Sequence, residues 1–146
     1  MSTSPSAQTM ELTVRAYFAA CKKHDANAIA ACFAADAVHY LPHLPPLRGG
    51  VTIGAAIVGD LHRRGGAYLV DRIYFDVERG AAAVEWSRTF EQGDRILRGY
   101  ECCEFESASV LIREIRGYYA AAPLAELARH ELVGFDYAGR GYTTLS

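Results

Sequence analysis

The sequence predicts an α+β domain in which a curved antiparallel sheet wraps N-terminal helices. Three observations carry this. Apolar residues recur at helical spacing through roughly the first 65 positions. Beyond them the chain turns to short runs rich in β-branched and aromatic residues, separated by turn residues. Finally, a length of 146 residues suits a single domain.

Residues 1–8 read as a flexible tail. Met10, Val14, Tyr17, Phe18 and Cys21 then form one apolar stripe at the spacing of a helix face. Asp25 is placed to cap a second, alanine-rich helix running through Phe33, with Ile29 and Phe33 on one face. Asp36 starts a short strand, Ala37 to Leu41. Pro42, Pro45, Pro46, Gly49 and Gly50 predict a loop after it. Ile53, Ile57 and Leu61 are spaced by four and mark a third helix, ending near Gly65-Gly66.

The remainder reads as an antiparallel meander. Its strands are Tyr68 to Val77, Ala83 to Glu91, Ile96 to Glu106, and Val110 to Tyr119. Gln92-Gly93-Asp94 predicts a tight hairpin, in which a two-residue turn at Gly93-Asp94 pairs Gln92 with Arg95. That register sets Trp86 opposite Glu101 and Arg88 opposite Gly99. Trp86, Arg88, Glu101 and Cys103 then share one face, and a slip by one residue would reverse it. His39 and Leu41 share a face on the first strand, with Val38 and Tyr40 on the other. An extension over 123–146 holds a short helical stretch, Leu124 to Glu131, and an aromatic, glycine-rich segment, Gly134 to Tyr142. It has the character of a lid, a dimer arm or a packed surface arm.

Composition excludes several classes of function. The net charge is −2 with no Lys/Arg stripe, so nucleic acid is not an expected partner. The polar start Met1-Ser2-Thr3-Ser4-Pro5-Ser6 lacks the marks of a signal peptide, and no apolar run approaches the roughly 20 residues that span a bilayer. A soluble, cytoplasmic protein is expected. The thiols of Cys21, Cys32, Cys102 and Cys103 form no Cys-x-x-Cys pair and read as reduced, mostly buried side chains. Gly49-Gly50 and Gly65-Gly66 are too sparse for a phosphate-binding loop, so no organic cofactor is expected. His39 and His43 stand about 13 Å apart if extended, and no third ligand converges with them, so no metal is expected.

The order of the first elements carries a resemblance. Tyr17 lies eight residues before Asp25, and Cys32-Phe33-Ala34-Ala35-Asp36-Ala37-Val38-His39-Tyr40-Leu41-Pro42 follows. An amphipathic helix, a short helix and a strand after an acidic turn resemble the opening of the nuclear transport factor 2-like, or SnoaL-like, fold. The strand Ile112 to Tyr119 also has the family's character, and the resemblance covers about residues 9–120. It implies a cone-shaped cystatin-like α+β roll over 9–122, a pocket whose wall carries the chemistry, and a homodimer formed through the outer sheet face. Tyr100 and Tyr118 would then be interface residues.

The resemblance also suggests roles. In the ketosteroid isomerase branch a first-helix tyrosine and a late-strand acid donate hydrogen bonds to an oxyanion. Tyr17 and Glu101 match those positions, with Glu where the family has Asp. The branch's catalytic aspartate falls at Leu41, so that base is missing, and His39 on the same face is its substitute. In the limonene epoxide hydrolase branch the relay of arginine and two acids would fall at Gly99, Glu101 and Gly117, where only Glu101 keeps its chemistry. The scytalone dehydratase branch is similar in residue types alone.

The expected catalytic residues are therefore Tyr17, His39 and Glu101, and the expected substrate-binding residues are Phe33, Leu41, His43, Trp86, Arg88, Cys103 and Tyr119. The expected function is proton transfer in an apolar pocket: isomerisation, dehydration or cyclisation of a carbonyl- or hydroxyl-bearing small molecule. The alternatives are an epoxide-hydrolase-like hydrolase and a non-catalytic ligand-binding module. For Arg88 the default partner is Glu101 or Glu85.

Overall fold

The computed structural model describes residues 5–91, 96–120 and 132–142. Three helices, α1 (Ala7–Lys22), α2 (Ala26–Ala30) and α3 (Gly50–Arg64), accompany six strands. These are β1 (Phe33–Leu41), β2 (Leu44–Arg48), β3 (Tyr68–Asp76), β4 (Ala81–Thr89), β5 (Ile96–Phe105) and β6 (Ile112–Tyr119). They form one sheet in the order β2-β1-β6-β5-β4-β3. The α+β class expected from the sequence is the one observed.

Local chemistry accounts for the helices. Ser6 and Thr9 form a reciprocal capping box at the start of α1. The expected stripe of Met10, Val14, Tyr17, Phe18 and Cys21 is buried against the sheet. Thr13 Oγ1 donates to the Val110 carbonyl at 3.0 Å and ties α1 to the β5–β6 connection. The Asp25 carboxylate caps α2 by accepting from the Ala28 amide at 3.0 Å. That helix ends at Ala30, short of Phe33, because Phe33 already pairs with Ile112. The strand therefore begins earlier than Asp36. A register shift between Phe33 and Val38 absorbs the alanine-rich stretch, which by composition looks helical.

Three further expectations are corrected. Residues 44–48 are a strand rather than loop: β2 runs antiparallel to β1 at the sheet edge, where prolines 45 and 46 are tolerated. The sheet is mixed rather than wholly antiparallel, because β1 and β6 run parallel at its centre, with His39 opposite Ile115. The β4–β5 register differs from the expected one by two residues, with Val84 opposite Glu101 and Trp86 opposite Gly99. The last described pair is Thr89 with Ile96, and the turn expected at Gly93-Asp94 lies outside the described residues. A shift of two keeps side-chain parity. Trp86, Arg88, Glu101 and Cys103 accordingly do share the inner face, and all four are buried.

The main core lies between α1, α3 and the concave face of the sheet. A second, smaller cluster sits on the convex face, where Tyr40 packs with Leu132 and Phe135. Residues 132–142 thus lie against the outer side of β1, held also by the Arg140–Glu114 ion pair at 2.6 Å. None of them lines the inner cavity. The helical stretch expected over 124–131 lies outside the described residues. Among the described residues, no helix is long and apolar enough to cross a membrane.

Candidate functional site

The concave face does not close on itself. Between α1, α3, β2 and the sheet lies a cavity of about 450 Å³, within the usual range for small-ligand pockets. Tyr17 and Phe18 enter from α1, His39 from β1, Trp86 and Arg88 from β4, Glu101 from β5 and Tyr119 from β6. Apolar side chains of β2 and α3, among them Leu44, Leu47 and Ile57, close the other side.

His39 and Glu101 form the polar floor. His39 Nε2 stands 4.0 Å from Glu101 Oε1, and both residues are almost fully buried, at 4% and 7% exposure. That distance exceeds a hydrogen bond. Among the described residues, Glu101 Oε2 and His39 Nδ1 are buried without a hydrogen-bond partner. Burial raises the Glu101 carboxyl to about 8 and lowers the His39 imidazole to about 4. Both shifts have one cause: the charged form is poorly solvated inside the cavity. At pH 7 the floor therefore presents a protonated acid and an unprotonated imidazole, each with capacity unused. Gly117 is opposite Glu101 across the β5–β6 pair. A side chain there would point towards His39 Nε2, 4.0 Å from its Cβ. The missing side chain keeps the floor open.

Tyr17 is 3% exposed, and burial, with Glu101 next, raises its phenol well above the usual value. It stays a neutral donor at any working pH. Its ring is held edge-on by Phe18 at 5.0 Å and Phe33 at 5.3 Å. Trp86 stands between Tyr68 and Tyr119, at 5.3 Å and 5.7 Å, and its indole Nε1 has no partner. Gly99 makes room for that indole, since a Cβ there would meet Trp86 ring carbon at 2.6 Å.

The expected residues divide as follows. Tyr17, His39, Glu101, Leu41, Trp86, Arg88 and Tyr119 all line the cavity. Phe33 and Cys103 are core residues outside its wall. His43 also lies outside the wall, in the β1–β2 turn with φ of 58°. Arg88 pairs with Asp60 at 3.5 Å, while Glu85 pairs with Arg98 instead. The reason is parity: Glu85 points to the outer face and Arg88 to the inner one. Among the described residues, no three His, Cys, Asp or Glu side chains converge as a metal site.

Sequence reasoning missed the wall supplied by β2 and α3. Ala56, Ile57, Asp60 and Arg64 follow helical spacing, which was a readable signal. Residues 44–47 carried none, because their prolines read as loop.

A curved mixed sheet, helices on its concave face and a polar floor under an apolar cavity define the nuclear transport factor 2-like class of α+β proteins. Within it, the chain belongs to the SnoaL-like domain family, which matches residues 14–115. A protein of unknown function with cystatin-like fold from Methylobium petroleophilum PM1 is 39% identical, at TM-score 0.88, with 98% of this chain and 96% of that one covered. A Kribbella flavida protein provisionally named a ketosteroid isomerase is 21% identical, at TM-score 0.63, covering 84% and 85%. A Mycobacterium tuberculosis epoxide hydrolase described as LEH-like is 22% identical, at TM-score 0.62, covering 80% and 86%. These last two share the fold. The search of curated proteins produced no match.

Proposed function

We propose that the protein is a cofactor-independent enzyme of the isomerase, dehydratase or cyclase type, moving a proton beside a carbonyl or hydroxyl oxygen. The observation that carries this is the floor: a neutral acid and a neutral base 4.0 Å apart, both with unused hydrogen-bonding capacity, in an apolar cavity. That separation suits two adjacent substrate atoms, an oxygen facing the acid and a carbon-bound proton facing the base.

Tyr17 and protonated Glu101 donate to the substrate oxygen. His39 Nε2 takes the proton from the neighbouring carbon, and the C–H electron pair moves into the enolate. Return of the proton from His39 to another carbon completes an isomerisation; its transfer to a β-hydroxyl, which departs as water while the enolate collapses to the conjugated carbonyl, completes a dehydration. Preorganised donors in a dry site act most strongly on the charge that develops in the transition state. Hydrolysis of epoxides by the acid–arginine–acid relay is disfavoured, because Gly99 and Gly117 stand where that relay has side chains.

The test needs no prior substrate. A panel of ketones is incubated with the protein in D2O, and loss of α-C–H signal is followed by proton NMR. Protein-dependent exchange is expected. It should fall by about 10²-fold in Tyr17→Phe, which deletes one oxyanion donor, and by 10² to 10⁴-fold, roughly, in His39→Ala. Binding without exchange would instead leave a ligand-binding module.

Assembly as a homodimer through the convex face belongs to the same proposal. Tyr100 and Tyr118 face each other across β5 and β6 and are 46% and 42% exposed. Sedimentation at high concentration should give a dimer, and a monomer there removes the idea.

A further inference from the structure

At the end of the cavity away from His39 the wall is cationic. Arg88, Arg63 and Arg64 line it together with a single carboxylate, Asp60. Asp60 is shared by all three, at 3.3 Å from Arg64, 3.5 Å from Arg88 and 3.8 Å from Arg63. Glu91 is exposed and lies behind Gly65.

Arg88 is the unusual member. It is 1% exposed, and its guanidinium sits over the rings of Tyr68 and Phe90, at 4.7 Å and 5.0 Å. Among the described residues, its one charged contact is the 3.5 Å approach to Asp60, at the limit of a hydrogen bond. Its Nε and Nη1 atoms are buried with no acceptor among the described residues. Buried donors are nearly always satisfied, and a guanidinium stays charged under all ordinary conditions. A fixed cation with two idle donors, held flat by two aromatic rings and opening on a cavity, has capacity for a second anion besides Asp60.

We propose that this end is a carboxylate subsite, so that the substrate is a largely apolar acid carrying its carboxylate away from the reacting carbonyl or hydroxyl. The assignment rests on the cavity being the substrate site, and it deepens the function proposed above. Arg88 is four residues along β4 from Val84, the partner of Glu101, which is about 13 Å at 3.3 Å per residue. The carboxylate and the reacting centre are thus separated by an apolar body that fits the Leu44, Leu47, Ile57 and Leu97 wall. A carboxylate accepts charge-assisted hydrogen bonds from the idle donors and is favoured by three guanidiniums against one carboxylate. Arginine suits this position better than lysine because its plane stacks on aromatic faces while its edge recognises the anion.

The test is binding, separate from turnover. Isothermal titration is run with 4-phenylbutyrate and 6-phenylhexanoate, each beside its methyl ester. At least one acid should bind about tenfold tighter than its ester or better, the size expected for a charge-assisted hydrogen bond. The preference should vanish in Arg88→Gln and partly survive in Arg88→Lys. It should persist in Glu101→Gln, which alters the proton-transfer floor alone, so failure of the catalytic reading leaves this result standing. Equal or tighter ester binding by the wild-type protein overturns the proposal, as does no binding of either acid at millimolar concentration. Because those two outcomes need no variant, the proposal stays testable even if Arg88→Gln fails to fold. Preference retained in a folded Arg88→Gln also overturns it.

Discussion

Replacing Glu101 by leucine is expected to slow proton transfer by about 10² to 10³-fold, the loss typical of one oxyanion donor. Glu101→Gln should be milder, because its amide still donates a hydrogen bond, though a weaker one. The pH profile separates the two roles of this side chain. In the wild-type protein, activity should fall above about pH 8 as the Glu101 carboxyl ionises. In Glu101→Gln that alkaline limb should be gone. Persistence of the limb in the variant would assign it to another group and remove Glu101 from the mechanism.

The same group makes a stability prediction that needs no substrate. The folded carboxyl, at about 8, binds its proton more tightly than the unfolded chain does near 4.5. Its contribution is fully present below the unfolded value and is lost as pH rises through the folded one. His39 acts in the opposite sense. Its folded value, about 4, lies below the ordinary 6.5, so its contribution is present above 6.5 and is lost as pH falls towards 4. Between 4.5 and 6.5 the two trends offset each other. From pH 6.5 to 8 only Glu101 acts, and stability should drop by about 2 kcal/mol. Denaturant unfolding across that range checks it, and Glu101→Gln should flatten the slope. A carboxyl-carbon NMR titration of Glu101 gives the pKa directly. A midpoint near the ordinary 4.3 would make Glu101 a solvated carboxylate and end the donor model.

A large effect on folding is expected from Gly54→Ala, and its sign is opposite to helix propensity. Gly54 is interior to α3, where alanine is normally favoured over glycine by about 1 kcal/mol. Here α2 crosses at contact distance. A Cβ at position 54 would lie 2.4 Å from the Ala26 carbonyl oxygen and 3.3 Å from its carbon. These are backbone atoms of the first turn of α2, so no rotamer relieves the clash. The two helices must separate, disturbing Ile29 and Ile53, both fully buried. Overpacking of this kind costs about 1 to 3 kcal/mol, equivalent to a fall in Tm of roughly 3 to 10 °C at this chain length. Calorimetry showing an unchanged or raised Tm would mean that α2 and α3 do not approach this closely.

The helices were legible because their evidence is local. The stripe from Met10 to Cys21, the Asp25 cap and the repeat of Ile53, Ile57 and Leu61 each depend on residues within one or two turns. Side-chain parity was legible in the same way. The inner face of Trp86, Arg88, Glu101 and Cys103 survived a register wrong by two residues, since alternation depends on even or odd position alone. Tyr17, His39 and Glu101 were joined at one site by the resemblance to the ketosteroid isomerase branch, and all three line the cavity.

What failed depended on partners distant in the chain. Residues 33–36 are strand only because β6 pairs with Phe33, and residues 44–48 are strand only because β1 offers them an edge. The parallel β1–β6 pairing joins segments more than 70 residues apart and has no local signature. The choice of Asp60 over Glu85 as the partner of Arg88 required α3 to be laid across the sheet. The sequence by itself determined the three helices, the strands of the later meander, the faces of their side chains and the residue types available for chemistry, because these follow from spacing along one chain. Only the tertiary structure decided the protonation of the site. The raised carboxyl of Glu101, the lowered imidazole of His39 and the idle donors of Arg88 all arise from exclusion of water, which no segment achieves until the sheet and helices enclose the cavity.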